Sequence, residues 1–157
     1  MSRKASRPVS ITITVASPAW RKHAGLVPVL RRAARRALRP GALPGTVSVL
    51  LTDDAELHVL NLQFRGHDKP TNVLSFPSRQ AGHLGDIAIA YGVTARDAKV
   101  SGKRFADHAV HLVVHGTLHL LGYDHETARE ALEMEALETR ILAAMNIADP
   151  YAAEKVA

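Results

Sequence analysis

HLVVHGTLHLLGYDH, residues 111–125, joins an apolar helical run to three closely spaced histidines. His115 and His119 are four residues apart in a segment rich in Leu and Val. At 100° per residue the two imidazoles lie about 40° apart on one face and one turn along, close enough to reach a common ion. Gly122 supplies a helix stop, after which the chain can turn and bring His125 back to the same point. Three neutral histidines around zinc leave a position for water, the arrangement of a catalytic rather than a closed structural site. The competing explanation is chance: His-xxx-His occurs on many helices, and buried histidines often only satisfy hydrogen bonds. Against it, imidazoles left unpaired on so apolar a helix would cost about 1–3 kcal/mol each. The expected metal set is therefore His115, His119 and His125, a zincin-like site on a helix.

The neighbours of these ligands narrow the chemistry. Gly116 stands where a zincin peptidase needs glutamate as general base, which disfavours peptide hydrolysis. Asp124 could act as base or orient a ligand histidine, and a simple turn role after Gly122 is equally open. His111 could be a fourth contact, with a supporting or core role as the alternative. His108 continues the row less well and is expected to be exposed, and His23, His58, His67 and His83 have no spacing that ties them to the ion.

Without a single cysteine in 157 residues there is no disulfide framework and no thiolate metal site, so a transition metal falls to histidine or carboxylate. The length suits one domain, taken as 1–157, with one core. No apolar run approaches a membrane span and the first residues lack the apolar core of a signal peptide, so the expected compartment is the cytoplasm, with no membrane partner. Residues 1–40 hold ten of the twenty Lys and Arg and none of the fifteen Asp and Glu. Such asymmetry fits a basic surface facing a polyanion, or else a solvated helix face.

Around the histidine block the elements alternate. VSITITV (9–15) and TVSVLLT (46–52) read as strands, and Ser17-Pro18 opens a helical region through Arg39, interrupted or restarted near Pro28. There Arg31, Arg32, Arg35, Arg36 and Arg39 share a broad face, while Val27, Leu30, Ala34 and Leu38 can face the core. Asp53 or Asp54 can cap a helix over 55–64. VLSF (73–76) and DIAIAY (86–91) read as strands whose short link makes them antiparallel neighbours. Helices are expected at about 94–100, 103–121 and 127–145, completing an α+β domain.

In the loop of LNLQFRGHDKPTNVLSFP (60–77), Arg65 and Lys69 suit phosphate, Arg as a planar fork and Lys as a point charge, although taken alone they are better explained as a charged surface loop. Asn72 could touch a ligand or fix the turn, and LGDIAI (84–89) makes Asp86 a further candidate. These blocks with HLVVHGTLHLLGYDH, in this order and spacing over about 45–145, closely resemble the YbeY family of bacterial metal-dependent ribonucleases. The resemblance implies a small mixed four-stranded sheet flanked by about five helices, one zinc ion on His115, His119 and His125, and the family's motif arginine at Arg65.

The same resemblance implies a metal-dependent endoribonuclease that cleaves single-stranded RNA. Its implied roles are maturation of the 16S ribosomal RNA 3′ end and ribosome quality control. The partners would be precursor ribosomal RNA and the ribosome, with a ribosomal protein or ribosome-assembly GTPase as candidates. Cleavage could proceed by water activated at the metal or by attack of the ribose 2′-OH, with the ion and Arg65 stabilising charge on the phosphoryl oxygens. Two other functions stay open: a non-catalytic assembly factor with structural zinc, and a metal hydrolase of some small substrate. Imidazole also suits nickel, copper and iron, so the metal is not fixed by ligand type.

Overall fold

The structure is a computed structural model that describes residues 9–38 and 45–152. Four strands, β1 (Ser10–Val15), β2 (Thr46–Thr52), β3 (Val73–Pro77) and β4 (His83–Ala90), form one sheet in the order β1-β2-β4-β3. The first three neighbours run parallel and β3 lies antiparallel on the edge, as a mixed α+β sheet. Period-2 alternation gives the sheet two apolar faces. Val47, Val49, Leu51, Ile87 and Ile89 point to the main core, whereas Ala88 and Ala90 of β4 and Leu74 of β3 point to the other side. The second face is covered by α2 (Asp54–Arg65) through Leu57 and Leu60.

Four further helices complete the fold: α1 (Leu26–Leu38), α3 (Tyr91–Val100), α4 (Phe105–Leu120) and α5 (Ala128–Ala144). α4 is the central one. Alanines 33, 34 and 37 of α1 are fully buried and let that helix pack closely on α4, whose Ala109, Val110 and Val113 are buried in the same core. On its sheet side α4 presents Gly116, where an added Cβ would stand 3.0 Å from both Ile87 Cγ2 and Ser75 Oγ. The glycine is what allows the histidine-bearing helix to rest on β3 and β4.

Several sequence expectations change in detail. The first helical region breaks at residues 23–25 between a short 3-10 helix (Pro18–Lys22) and α1, and Pro28 sits harmlessly in the first turn of α1. β4 starts at His83, three residues early, and α3 begins at Tyr91 directly from the strand. Asp53, not Asp54, caps α2, its side chain accepting from the Glu56 amide at 2.9 Å. Of the basic residues near the N-terminus, Arg3, Lys4, Arg7 and Arg39 lie outside the described residues. Among the described residues no helix is long and apolar enough to cross a membrane.

Candidate metal centre

α4 delivers His115 and His119 one turn apart at its C-terminal end, with their Nε2 atoms facing at 3.1 Å. The helix ends at Leu121; Gly122 takes φ +98°, a left-handed conformation that costs a residue with a Cβ about 1–2 kcal/mol. The Tyr123 amide then donates back to the Leu118 carbonyl at 3.1 Å, and the reversed chain carries His125 to within 5.6 Å of His115 and 5.0 Å of His119, ring centre to ring centre. One ligand atom from each histidine lies within 4.8 Å of the others. Two imidazole nitrogens face each other at hydrogen-bond distance, beside a third, where a cation would be shared by all three. The set therefore fits a divalent ion held by neutral nitrogen donors. Burial, then the neighbouring His115 and His125, push the His119 pKa down, which keeps it in the neutral form a ligand requires.

Behind the ligands lies a residue that sequence reading missed. Glu138 of α5, 1% exposed, takes His115 Nδ1 on one carboxylate oxygen at 3.3 Å. Its other oxygen accepts from His111 Nε2 and, at 2.9 Å, from the Tyr151 hydroxyl. Burial alone would raise the Glu138 pKa, but the hydrogen bonds from His111 and His115 bring it down to about 2. An ionised carboxylate only accepts, so His115 must carry its proton on Nδ1, leaving the Nε2 lone pair aimed at His119 and the metal position. His111, Glu138 and Tyr151 thus hold the tautomer and ring plane of His115 from behind, and His111, His115 and Glu138 themselves offer ligand atoms within 4.8 Å of one another. His108 is a correction: expected exposed, it is 7% exposed and neither ring nitrogen has a hydrogen-bond partner. The row 108–111–115 runs along the buried side of α4, covered by α3 and α5.

The histidines open onto a cleft of about 580 Å³ lined also by Arg65, Asn72, Ser75 and Asp124. Arg65 is the last residue of α2, not part of a loop, and Gly66 at φ +73° ends that helix. Its guanidinium donates to the Ser75 carbonyl at 3.0 Å and sits 6.0 Å from the Phe76 ring. The Ser75 hydroxyl donates to the Gly116 carbonyl at 3.0 Å. One residue of the edge strand therefore ties the arginine on one side and the ligand helix on the other.

Other candidates are distributed differently. Asp124 accepts from the His125 amide at 2.8 Å and stands 4.0 Å from its ring, the geometry of a turn residue. Asn72 lines the cleft, yet its side chain closes the turn, taking the Val73 amide at 2.7 Å and reaching Asp97 at 3.1 Å. Lys69 is absent from the cleft lining, and Asp86 pairs with His83 at 3.2 Å, away from it. His23 meets Tyr91 and His58 meets Asp68.

Comparison with known proteins is then decisive. The family model described as Endoribonuclease YbeY matches residues 23–146, which include every residue of this cleft. The chain belongs to the YbeY family. An Endoribonuclease YbeY of Chelativorans sp. (strain BNC1) is 49% identical, covering 95% of this chain and 98% of its own. Another, of Rhodopseudomonas palustris (strain HaA2), is 47% identical over 89% of this chain and 80% of its own. The solution structure of TM1509 from Thermotoga maritima is similar in fold, with TM-score 0.61 and 26% identity over 93% of this chain and 92% of that one. Membership of YbeY places the chain among endoribonucleases.

Proposed function

We propose that this chain is a single-domain, zinc-dependent endoribonuclease that cuts single-stranded RNA in the cleft bounded by His115, His119, His125 and Arg65. It would act in the cytoplasm on precursor ribosomal RNA and the ribosome, in 16S 3′-end maturation and quality control. The observation that carries this reading is the convergence of three metal-binding nitrogens and one guanidinium on the same open cleft. When bound, zinc supplies Lewis acidity and lowers the pKa of water. Arg65 offers N–H donors and a fixed positive charge to the phosphoryl oxygens, where charge accumulates as the phosphodiester breaks. Glu138 keeps His115 in the ligating tautomer, and Ser75 holds Arg65 against the edge strand.

Cleavage of precursor ribosomal RNA with mapped ends, alongside elemental analysis, tests the proposal. His119→Ala should lose both the metal and the cleavage. Unchanged metal content and unchanged cleavage in that variant would refute the assignment. Arg65→Ala should keep the metal and the fold while cleaving roughly 100-fold more slowly, the scale of losing one charge-stabilising donor. A 2′,3′-cyclic phosphate at the cut would assign the attack to the ribose hydroxyl; a 3′-hydroxyl with a 5′-phosphate would assign it to water.

A further inference from the structure

The basic face of α1 does not behave as one surface. Arg32 and Arg36 line a depression of about 470 Å³ between α1, α4 and the end of α5, whereas Arg31 and Arg35 do not. Arg104, the residue that precedes α4, contributes a third guanidinium from another helix. Val29, Val110, Met145 and Ile147 also line it, and Asp107 is the one carboxylate among the lining residues. Among the described residues none of the three arginines has a carboxylate within 4.0 Å. No side-chain hydrogen bond caps α4 at Arg104, and Ala106 and Asp107 of the first turn of this sixteen-residue helix line the same depression. Uncapped helix amides together with convergent, unpaired guanidiniums form a phosphate-binding combination.

We propose that Arg32, Arg36 and Arg104 form a second RNA-backbone site, holding phosphates of a substrate whose scissile bond lies at the metal centre. The inference rests on the RNA-cleaving function above. α4 connects the two sites: Arg104 stands at one end and His119 near the other, about 22 Å away at 1.5 Å per residue. An RNA long enough to span that distance over the protein surface touches both, while a short one reaches only the metal. The outer site then favours long single strands over fragments and leaves the chemical step to the cleft.

The test compares two variants of the full, zinc-loaded chain that each remove two charges from the same helix: Arg32→Gln/Arg36→Gln and Arg31→Gln/Arg35→Gln. Fluorescence anisotropy with a labelled single-stranded RNA across a salt series reads binding, and steady-state cleavage of long and short RNAs reads function. For Arg32→Gln/Arg36→Gln we expect about tenfold weaker binding of the long RNA and a salt slope shallower by about 1.4, at roughly 0.7 per lost phosphate contact. KM for the long RNA should rise with kcat unchanged, and the short RNA should be cut as by the parent. Arg104→Gln should shift binding in the same sense, and Arg31→Gln/Arg35→Gln should stay near the parent. Equal losses in the two double variants, or none in either, would overturn the site while leaving the RNA-cleaving function standing. If the parent chain neither binds nor cuts RNA, that function falls and this site with it. Displacement of the RNA by polyglutamate as effectively as by unlabelled RNA would assign the depression to acidic proteins instead.

Discussion

Glu138 orients a candidate metal ligand, its carboxylate accepting from His115 Nδ1. Replacing it by Gln removes the acceptor-only carboxylate, so the His115 tautomer is no longer imposed. Zinc affinity of Glu138→Gln, measured by competition with a chromogenic chelator, should fall about 10–100-fold with the fold intact. An unchanged affinity would reduce Glu138 to a packing group. His108 makes a different prediction, one of stability. Burial first, then His111 and Lys103, push its pKa from 6.5 to about 4, against the weaker opposing pull of Asp97. The unfolded chain therefore binds the proton more readily, and the contribution of neutral His108 is complete above pH 6.5 and lost as pH falls toward about 4. Between pH 7 and pH 5 the parent should lose about 2 kcal/mol that His108→Leu does not lose. Urea denaturation at both pH values reads the difference, and parallel losses in the two proteins would contradict a buried neutral ring.

Elements differ in how openly the sequence declares them. The strands of the sheet core were legible because Val47, Val49 and Leu51 alternate, and α4 because its histidines sit in an apolar helical run. The start of α3 was not: Tyr91 follows β4 directly, and Ala90 offers no side-chain cap to mark the change. The early start of β4 hides in His83, Leu84 and Gly85, whose pairing with β2 includes a register shift. The three ligands could be read from local spacing and one glycine, but Glu138 could not, since it is 23 residues from His115. A signal did exist: Met134, Glu138, Ile141 and Leu142 are the buried stripe of α5, and an acid inside such a stripe asks for a partner. His108 was misjudged because exposure depends on α3 and α5, which no spacing within α4 reveals. The turn after α4 carries its own prediction. Gly122→Ala, at φ +98°, should destabilise by about 1–2 kcal/mol in thermal denaturation and weaken zinc binding as His125 is displaced. Normal metal affinity in that variant would mean that His125 reaches the ion without this turn.

Across the whole molecule, a metal held by His115, His119 and His125 would join the end of α4 to the chain that leads into α5, whereas the core between α1, α4 and the sheet is closed without it. Chelation should therefore lower the Tm by several degrees, not unfold the protein: zinc at about 100 times its Kd contributes about 2.7 kcal/mol, and for a chain of this size each kcal/mol is worth roughly 2–4 °C. Far-UV circular dichroism that collapses on chelation would show a fold that depends on its metal. Gly116 bears on this architecture in another way. In the sequence it marked the missing glutamate of a peptidase, and in the structure the same position faces Ile87 and Ser75 across a gap that a single methyl group already crowds. A glutamate there would be driven into the sheet instead of the cleft. Descent toward peptide hydrolysis is thus closed to any one-step mutant of this lineage, because α4 would first have to lift from the sheet that also holds Arg65 in place.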